Sequence, residues 1–173
     1  MKRLAVILAN GTEEIEGLTP VDVLRRAGVE CDTVSVSGEF IKGSHGIVIK
    51  ADKVADSVDF NVYDGIVIPG GMPGATNISN SKYIVSAIKS MVKSGKLVAA
   101  ICASPAVVLA DNGLLNADKA TCYPAPNFIN SLNDKYTGDN VTVCGNVITA
   151  NGPKSAMEFS LAICAYLGVT AKF

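Results

Sequence analysis

The chain has 173 residues, with 15 Lys plus Arg against 16 Asp plus Glu for a formal charge of −1, 49% hydrophobic residues, 18% charged, no Trp and one His. So apolar a chain is not intrinsically disordered, and its balanced sign excludes a protein that works by neutralising nucleic-acid phosphates or anionic membrane surfaces. The lone imidazole, His45, excludes every zinc hydrolase site built on two or three histidines. The length predicts one domain, residues 1–173, that buries roughly 70% of the surface its unfolded chain exposes. Cys31, Cys102, Cys122, Cys144 and Cys164 are odd in number, and no two are spaced to hold zinc, so they read as free thiols of a reducing cytoplasm. The apolar run Leu4–Ala9 is too short for a signal peptide, and no other run approaches a bilayer span of about 18 residues.

In chain order, Leu4–Ala9 predicts a strand, and Ile15, Leu18, Val21 and Leu24 recur at helical spacing until Gly28 stops the helix. Strands follow at Thr33–Val36, Ile47–Ile49 and Gly65–Pro69; Ile84, Ala87, Ile88, Met91 and Val92 form a helix that ends at Gly95. Leu97–Cys102 is a strand leading into an apolar helical stretch through Ala110, and Ala120–Tyr123 is a further strand. Val141–Val143 and Val147–Ala150 form a hairpin turning at Cys144-Gly145-Asn146, before a helix from Met157 to Tyr166 that ends at Gly168. Strands that are apolar throughout are covered on both faces, and their alternation with helices implies right-handed parallel crossovers. The expected fold is a three-layer α/β sandwich around a mostly parallel, doubly wound sheet, whose chemistry collects at the carboxyl ends of the strands.

Cys102 closes its strand between the small residues Ala100 and Ser104, the pattern of a nucleophile elbow. Such a turn aims helix N-terminal N–H groups at the sulfur, which predicts a lowered thiol pKa. An ordinary buried cysteine at a strand end fits the same pattern. Glu13, Glu14 and Glu16 straddle the start of the first helix; acids there suit the helix dipole, and any one of them can exchange a proton with the thiol, a choice that spacing leaves open. Pro69-Gly70-Gly71 presents unobstructed backbone amides at another strand end, suited to a developing oxyanion or to a plain turn. His45, in Gly43-Ser44-His45-Gly46, lies in a loop, where histidines ordinarily face solvent.

The segments Ala9–Glu16, Pro20–Gly28, Ile68–Gly71, Ala99–Pro105 and Gly152–Phe159, in this order, closely resemble the ThiJ/PfpI superfamily, within it the branch of the Parkinson-disease-associated protein deglycase. The resemblance implies a flavodoxin-like fold, a homodimer and an oxidisable, nucleophilic cysteine. By position Cys102 matches that cysteine, Glu16 its carboxylate partner, and Gly71 and Ala103 the residues whose N–H groups face the reacting site; Gly70 and Ser104 line it. Where many members place a histidine, this chain has Tyr123, and where some carry arginine it has His45, on the side that faces a dimer partner. A cysteine–histidine peptidase of this family therefore lacks its base here. The expectation is a cofactor-free enzyme, without a metal, that acts on a small reactive aldehyde such as methylglyoxal or on a glycated protein or amino acid. The alternatives are a redox sensor or chaperone-like protein with Cys102 oxidised to sulfinate and, more remotely, a cysteine peptidase or amidase.

Overall fold

The computed structural model describes residues 1–173. Strand β1 (Arg3–Leu8) leads to helix α1 (Glu14–Arg26), β2 (Glu30–Ser35), a short β3 (Phe40–Lys42) and β4 (Val48–Lys50), and β5 (Lys53–Val54). Then come β6 (Gly65–Ile68), α2 (Gly74–Ser79), α3 (Lys82–Lys93), β7 (Leu97–Ile101), α4 (Pro126–Leu132), the hairpin β8 (Val141–Cys144) and β9 (Val147–Ala150), and α5 (Ala156–Leu167). Seven strands form the sheet in the order β5-β2-β1-β6-β7-β9-β8. Every pairing is parallel except β8 with β9, so the fold is the expected flavodoxin-like sandwich. No helix is long and apolar enough to cross a membrane.

Because successive side chains of a strand point to opposite faces, the continuous apolar strands feed two cores. Ala5, Ile7, Ile66, Ile68, Val98 and Ala100 pack with Ile78 of α2 and with Ile84, Ile88 and Met91 of α3. Leu4, Val6, Val67, Ala99 and Ile101 pack on the other face with Val21 and Leu24 of α1 and with Phe159 and Ile163 of α5. Coverage from both sides is the reason β1, β6 and β7 carry no polar alternation.

Three expectations need correction, and two short helices were not expected. Ala120–Tyr123 is not a strand: β7 pairs directly with β9, so no slot remains, and Ala120 keeps one isolated bridge to Tyr136. Of Ile47–Ile49, Val48 and Ile49 belong to β4, which pairs only with β3 in a separate antiparallel ladder outside the main sheet, and Ile47 lies in the loop before it. The stretch after the elbow is a π-helical turn, Pro105–Leu109, followed by a tight turn at Ala110–Asn112 that Gly113 ends in the left-handed conformation. Finally, the short helices α2 and α4 carry too few turns to show a helical period, and the sequence pattern passes over them.

Candidate active site

Helix α1 buries Glu14, Glu16, Gly17, Pro20, Val21, Val23 and Leu24. Glu16 stands four and seven residues before Pro20 and Val23, so the helical period carries it to the core side. The turn before α1 is fixed by Thr12, whose Oγ1 accepts from Ala9 N at 3.0 Å. Two bonds then join this turn to the one after β6: Glu13 N donates to Gly70 O at 3.0 Å, and Gly70 N donates to Glu16 Oε2 at 2.8 Å. A Cβ added at Gly70 would lie 2.6 Å from Cys102 Cβ and 2.7 Å from Glu16 Oε2, so only glycine allows thiol and carboxyl to close around this backbone.

Cys102 has a φ of +65°, and apart from Asn133 it is the only non-glycine residue in this region. A side chain held there costs on the order of 1–3 kcal/mol and persists because its surroundings enforce it. Cys102 N donates to Ala150 O at 2.9 Å and Tyr123 N donates to Cys102 O at 2.8 Å, while Ser104 Oγ, fully buried, donates to Pro69 O at 2.6 Å. Ser104 thereby ties the elbow to the Gly70-Gly71 turn, and the Pro69 carbonyl is the positioning group that the sequence reading missed. Its signal was present in the Pro-Gly-Gly run, which leaves that carbonyl without a strand partner.

The backbone N–H groups of Gly71 and Ala103 both face the Cys102 sulfur. The thiol also lies against the Glu16 carboxyl group, without the geometry of an ordinary hydrogen bond. Burial raises the Glu16 pKa to about 7; the Gly70 N–H and the thiol oppose that rise and the charge of Glu13 adds to it. The expected lowering of the thiol pKa is not what the structure shows. Burial, and after it the neighbouring Glu16 charge, push Cys102 up to about 12 against the pull of the Gly71 and Ala103 amides. The turn after the elbow is too short for a strong helix dipole, and two acids share one dry pocket. Near neutral pH the sulfur therefore rests as a thiol beside a carboxyl group poised to ionise. Glu16 Oε1 is buried and accepts no hydrogen bond, which leaves it free to receive a proton from sulfur.

Cys102, Glu16, Gly70, Gly71, Ala103 and Ser104 thus come together. Tyr123 stands at the edge: its backbone holds Cys102 while its ring, half exposed, would meet a Cβ placed on Gly152 at 3.4 Å. It borders a cleft of about 630 Å³ lined also by Asn140, Asn151, Pro153 and Lys154. His45 is not part of this constellation. Its imidazole reaches Glu14 Oε2 at 3.1 Å and Glu13 Oε2 at 3.3 Å on the outer side of α1, and the Glu14 bond raises its pKa. All five cysteines are free, and Cys31, Cys122 and Cys164 are buried in packing positions.

Comparison with known proteins places the chain among relatives. Residues 2–166 match the DJ-1/PfpI family. The chain is 37% identical over 161 residues to the glutathione-independent glyoxalase DJR-1.2 of Caenorhabditis elegans, covering 92% of this chain and 85% of that protein. It is 36% identical over 169 residues to Protein DJ-1 homolog B of Arabidopsis thaliana, covering 96% of this chain but spanning only 38% of that relative's length. The solved structure of oxidized Toxoplasma gondii DJ-1 superposes with a TM-score of 0.92 at 41% identity, covering 96% of this chain and 91% of that one.

Proposed function

This chain belongs to the DJ-1/PfpI family, and from that membership and the Cys102–Glu16 geometry we propose that it is an enzyme acting on reactive carbonyls, of glyoxalase or deglycase type. The observation that carries the reading is a strained cysteine facing two backbone N–H groups and lying against a buried carboxyl group. The name of the Caenorhabditis elegans relative supports the substrate class. The first step balances as follows: Cys102 Sγ bonds to the aldehyde carbon of methylglyoxal, the C=O π pair moves onto oxygen, and the thiol proton passes to the Glu16 carboxylate. The developing oxyanion lies within reach of the Gly71 and Ala103 amides, donors of the kind worth about 3 kcal/mol each in acyl-transfer sites. Glu16, now protonated, returns the proton as the hemithioacetal oxygen needs it, so no cofactor is required. The cleft beside Tyr123 offers amides and a lysine to the part of a glycated side chain beyond the carbonyl. Purified wild-type protein should consume methylglyoxal and Cys102→Ala should not; equal rates for the two would refute the reading.

The resemblance to an oxidized relative supports a second reading, a redox-responsive thiol. Cys102 is partly exposed whereas Cys31, Cys122 and Cys164 are buried, so mild peroxide should place sulfinate on Cys102 before those three, as read by peptide mass spectrometry. Peptidase activity gains no support, since Tyr123 stands beside the elbow and the one histidine is held on another loop. We propose a homodimer as well, supported by the exposed apolar side chains Ile15 on α1 and Ile47 and Val48 on the adjoining loop and strand; sedimentation at micromolar concentration should give twice the chain mass.

A further inference from the structure

Away from Cys102, the outer side of the α1 start gathers a second set of polar atoms. Ser44 Oγ stands 3.3 Å from Glu13 Oε2, 3.3 Å from Glu14 Oε2 and 3.1 Å from His45 Nδ1, and the imidazole nitrogen stands 3.3 Å and 3.1 Å from the same two carboxylate oxygens. Five of the six edges joining these four atoms are thus between 3.1 and 3.3 Å. A tetrahedron of ligands at zinc bond lengths of about 2.0–2.1 Å has edges of about 3.3–3.4 Å. The remaining edge joins the two carboxylates, and the ligand atoms of Glu13, Glu14 and His45 all lie within 4.8 Å of one another.

Charge points the same way. The Glu13 and Glu14 side chains are only 12% and 7% exposed, and no Lys or Arg lies within ion-pair distance of either. Their one counter-charge is His45, 71% exposed. Even a protonated imidazole leaves one negative charge over, and the first turn of α1 offsets about half a charge. Backbone N–H groups and His45 hold Glu14 ionised against the cost of its burial, so two negative ligands converge on one point with a single exposed counter-charge between them.

Each carboxylate is also aimed. Glu14 Oε1 accepts from His45 N at 2.8 Å and from Ile47 N at 3.3 Å, and Glu13 Oε1 accepts from Ile15 N at 3.3 Å. In both residues one oxygen is occupied by backbone and the other is turned to the shared point, the outer support that ligating carboxylates ordinarily have. Gly43 is part of the cradle, since a Cβ there would run into the Glu14 carboxyl group.

From this geometry we infer that Glu13, Glu14 and His45, with Ser44 Oγ at the fourth corner, form a binding site for one divalent transition-metal ion of zinc size. One imidazole and two carboxylates suit Zn²⁺ among the borderline ions, whereas Mg²⁺ and Ca²⁺ prefer oxygen alone. The site is separate from the thiol and independent of the carbonyl chemistry. It also spans two parts of the chain some 30 residues apart, so a bound ion would fasten the β3–β4 loop to α1.

The test is a titration of chelator-stripped full-length protein with Zn²⁺, followed by calorimetry and by the proton NMR signals of the imidazole, which report on one residue because His45 is the chain's single histidine. The inference expects one ion per chain at micromolar Zn²⁺, a shifted imidazole signal, and uptake unchanged in Cys102→Ser. Binding should weaken at least about tenfold in His45→Ala and in Glu13→Gln. His45 is too exposed for its loss to threaten folding. Absence of uptake by the wild type, uptake undiminished in His45→Ala, an unmoved imidazole signal, or uptake lost in Cys102→Ser would each overturn the assignment.

Discussion

Replacing Glu16 by Gln separates the carboxyl charge from its shape. The carbonyl oxygen of Gln can still accept from Gly70 N, which donates to Glu16 Oε2 at 2.8 Å, and the side chain remains at its fully buried position. What disappears is ionisation in a dry pocket. Burial carries the folded-state pKa of Glu16 from 4.5 to about 7. A carboxyl group whose pKa is raised by folding favours the folded state while it is protonated, and that contribution is complete below about 4.5 and lost as pH rises to about 7. At about 1.4 kcal/mol per tenfold change in proton affinity, the loss is about 3 kcal/mol. Glu16→Gln has no such loss. Urea unfolding of both proteins in a chelating buffer, from pH 4.5 to 8.5, should therefore show similar stabilities at the acid end. With rising pH the variant should pull ahead by about 3 kcal/mol, while its methylglyoxal consumption falls at least about a hundredfold, the low end for a general acid–base group. A constant difference in stability across this range, or a variant that weakens relative to wild type as pH rises, would refute the reasoning.

Gly70→Ala should lower methylglyoxal consumption at least about tenfold and cost about 1–3 kcal/mol in urea unfolding, because its Cβ would lie 2.6 Å from Cys102 Cβ; wild-type values for both would show that the site has slack. Ser104→Ala leaves the buried Pro69 carbonyl without its 2.6 Å donor and should cost about 1–3 kcal/mol, checked by the denaturant midpoint at unchanged slope. Cys102→Gly should be more stable than Cys102→Ala by about 1 kcal/mol, although glycine is ordinarily the less stabilising residue, because φ at this position is +65°; the reverse order of melting temperatures would count against strain at the elbow.

The central strands were legible because each is buried on both faces, so β1, β6 and β7 appear as unbroken apolar runs. Ala120–Tyr123 has similar composition and no strand partner, since its exclusion follows from β7 pairing with β9, a contact between distant segments. Cys102 was legible from the small residues on either side of it. Glu16 came from the resemblance, since α1 buries Glu14 as well as Glu16 and spacing alone does not choose between them. The direction of the thiol shift was not legible: it depends on how completely the pocket excludes water and on a carboxyl group 86 residues earlier in the chain. The convergence of Ser44 and His45 on Glu13 and Glu14 was hidden for the same reason, since local spacing carries no trace of a contact made across the fold.

The central claim is that Glu16 takes the Cys102 proton as sulfur attacks the carbonyl. The pH profile of methylglyoxal consumption under limiting substrate, in a chelating buffer, tests it most directly. The wild-type rate should rise with pH through an inflection near 7, where the Glu16 carboxyl group ionises, and that inflection should be gone in Glu16→Gln. A wild-type rate with no inflection near 7, or the same inflection in Glu16→Gln, would contradict it.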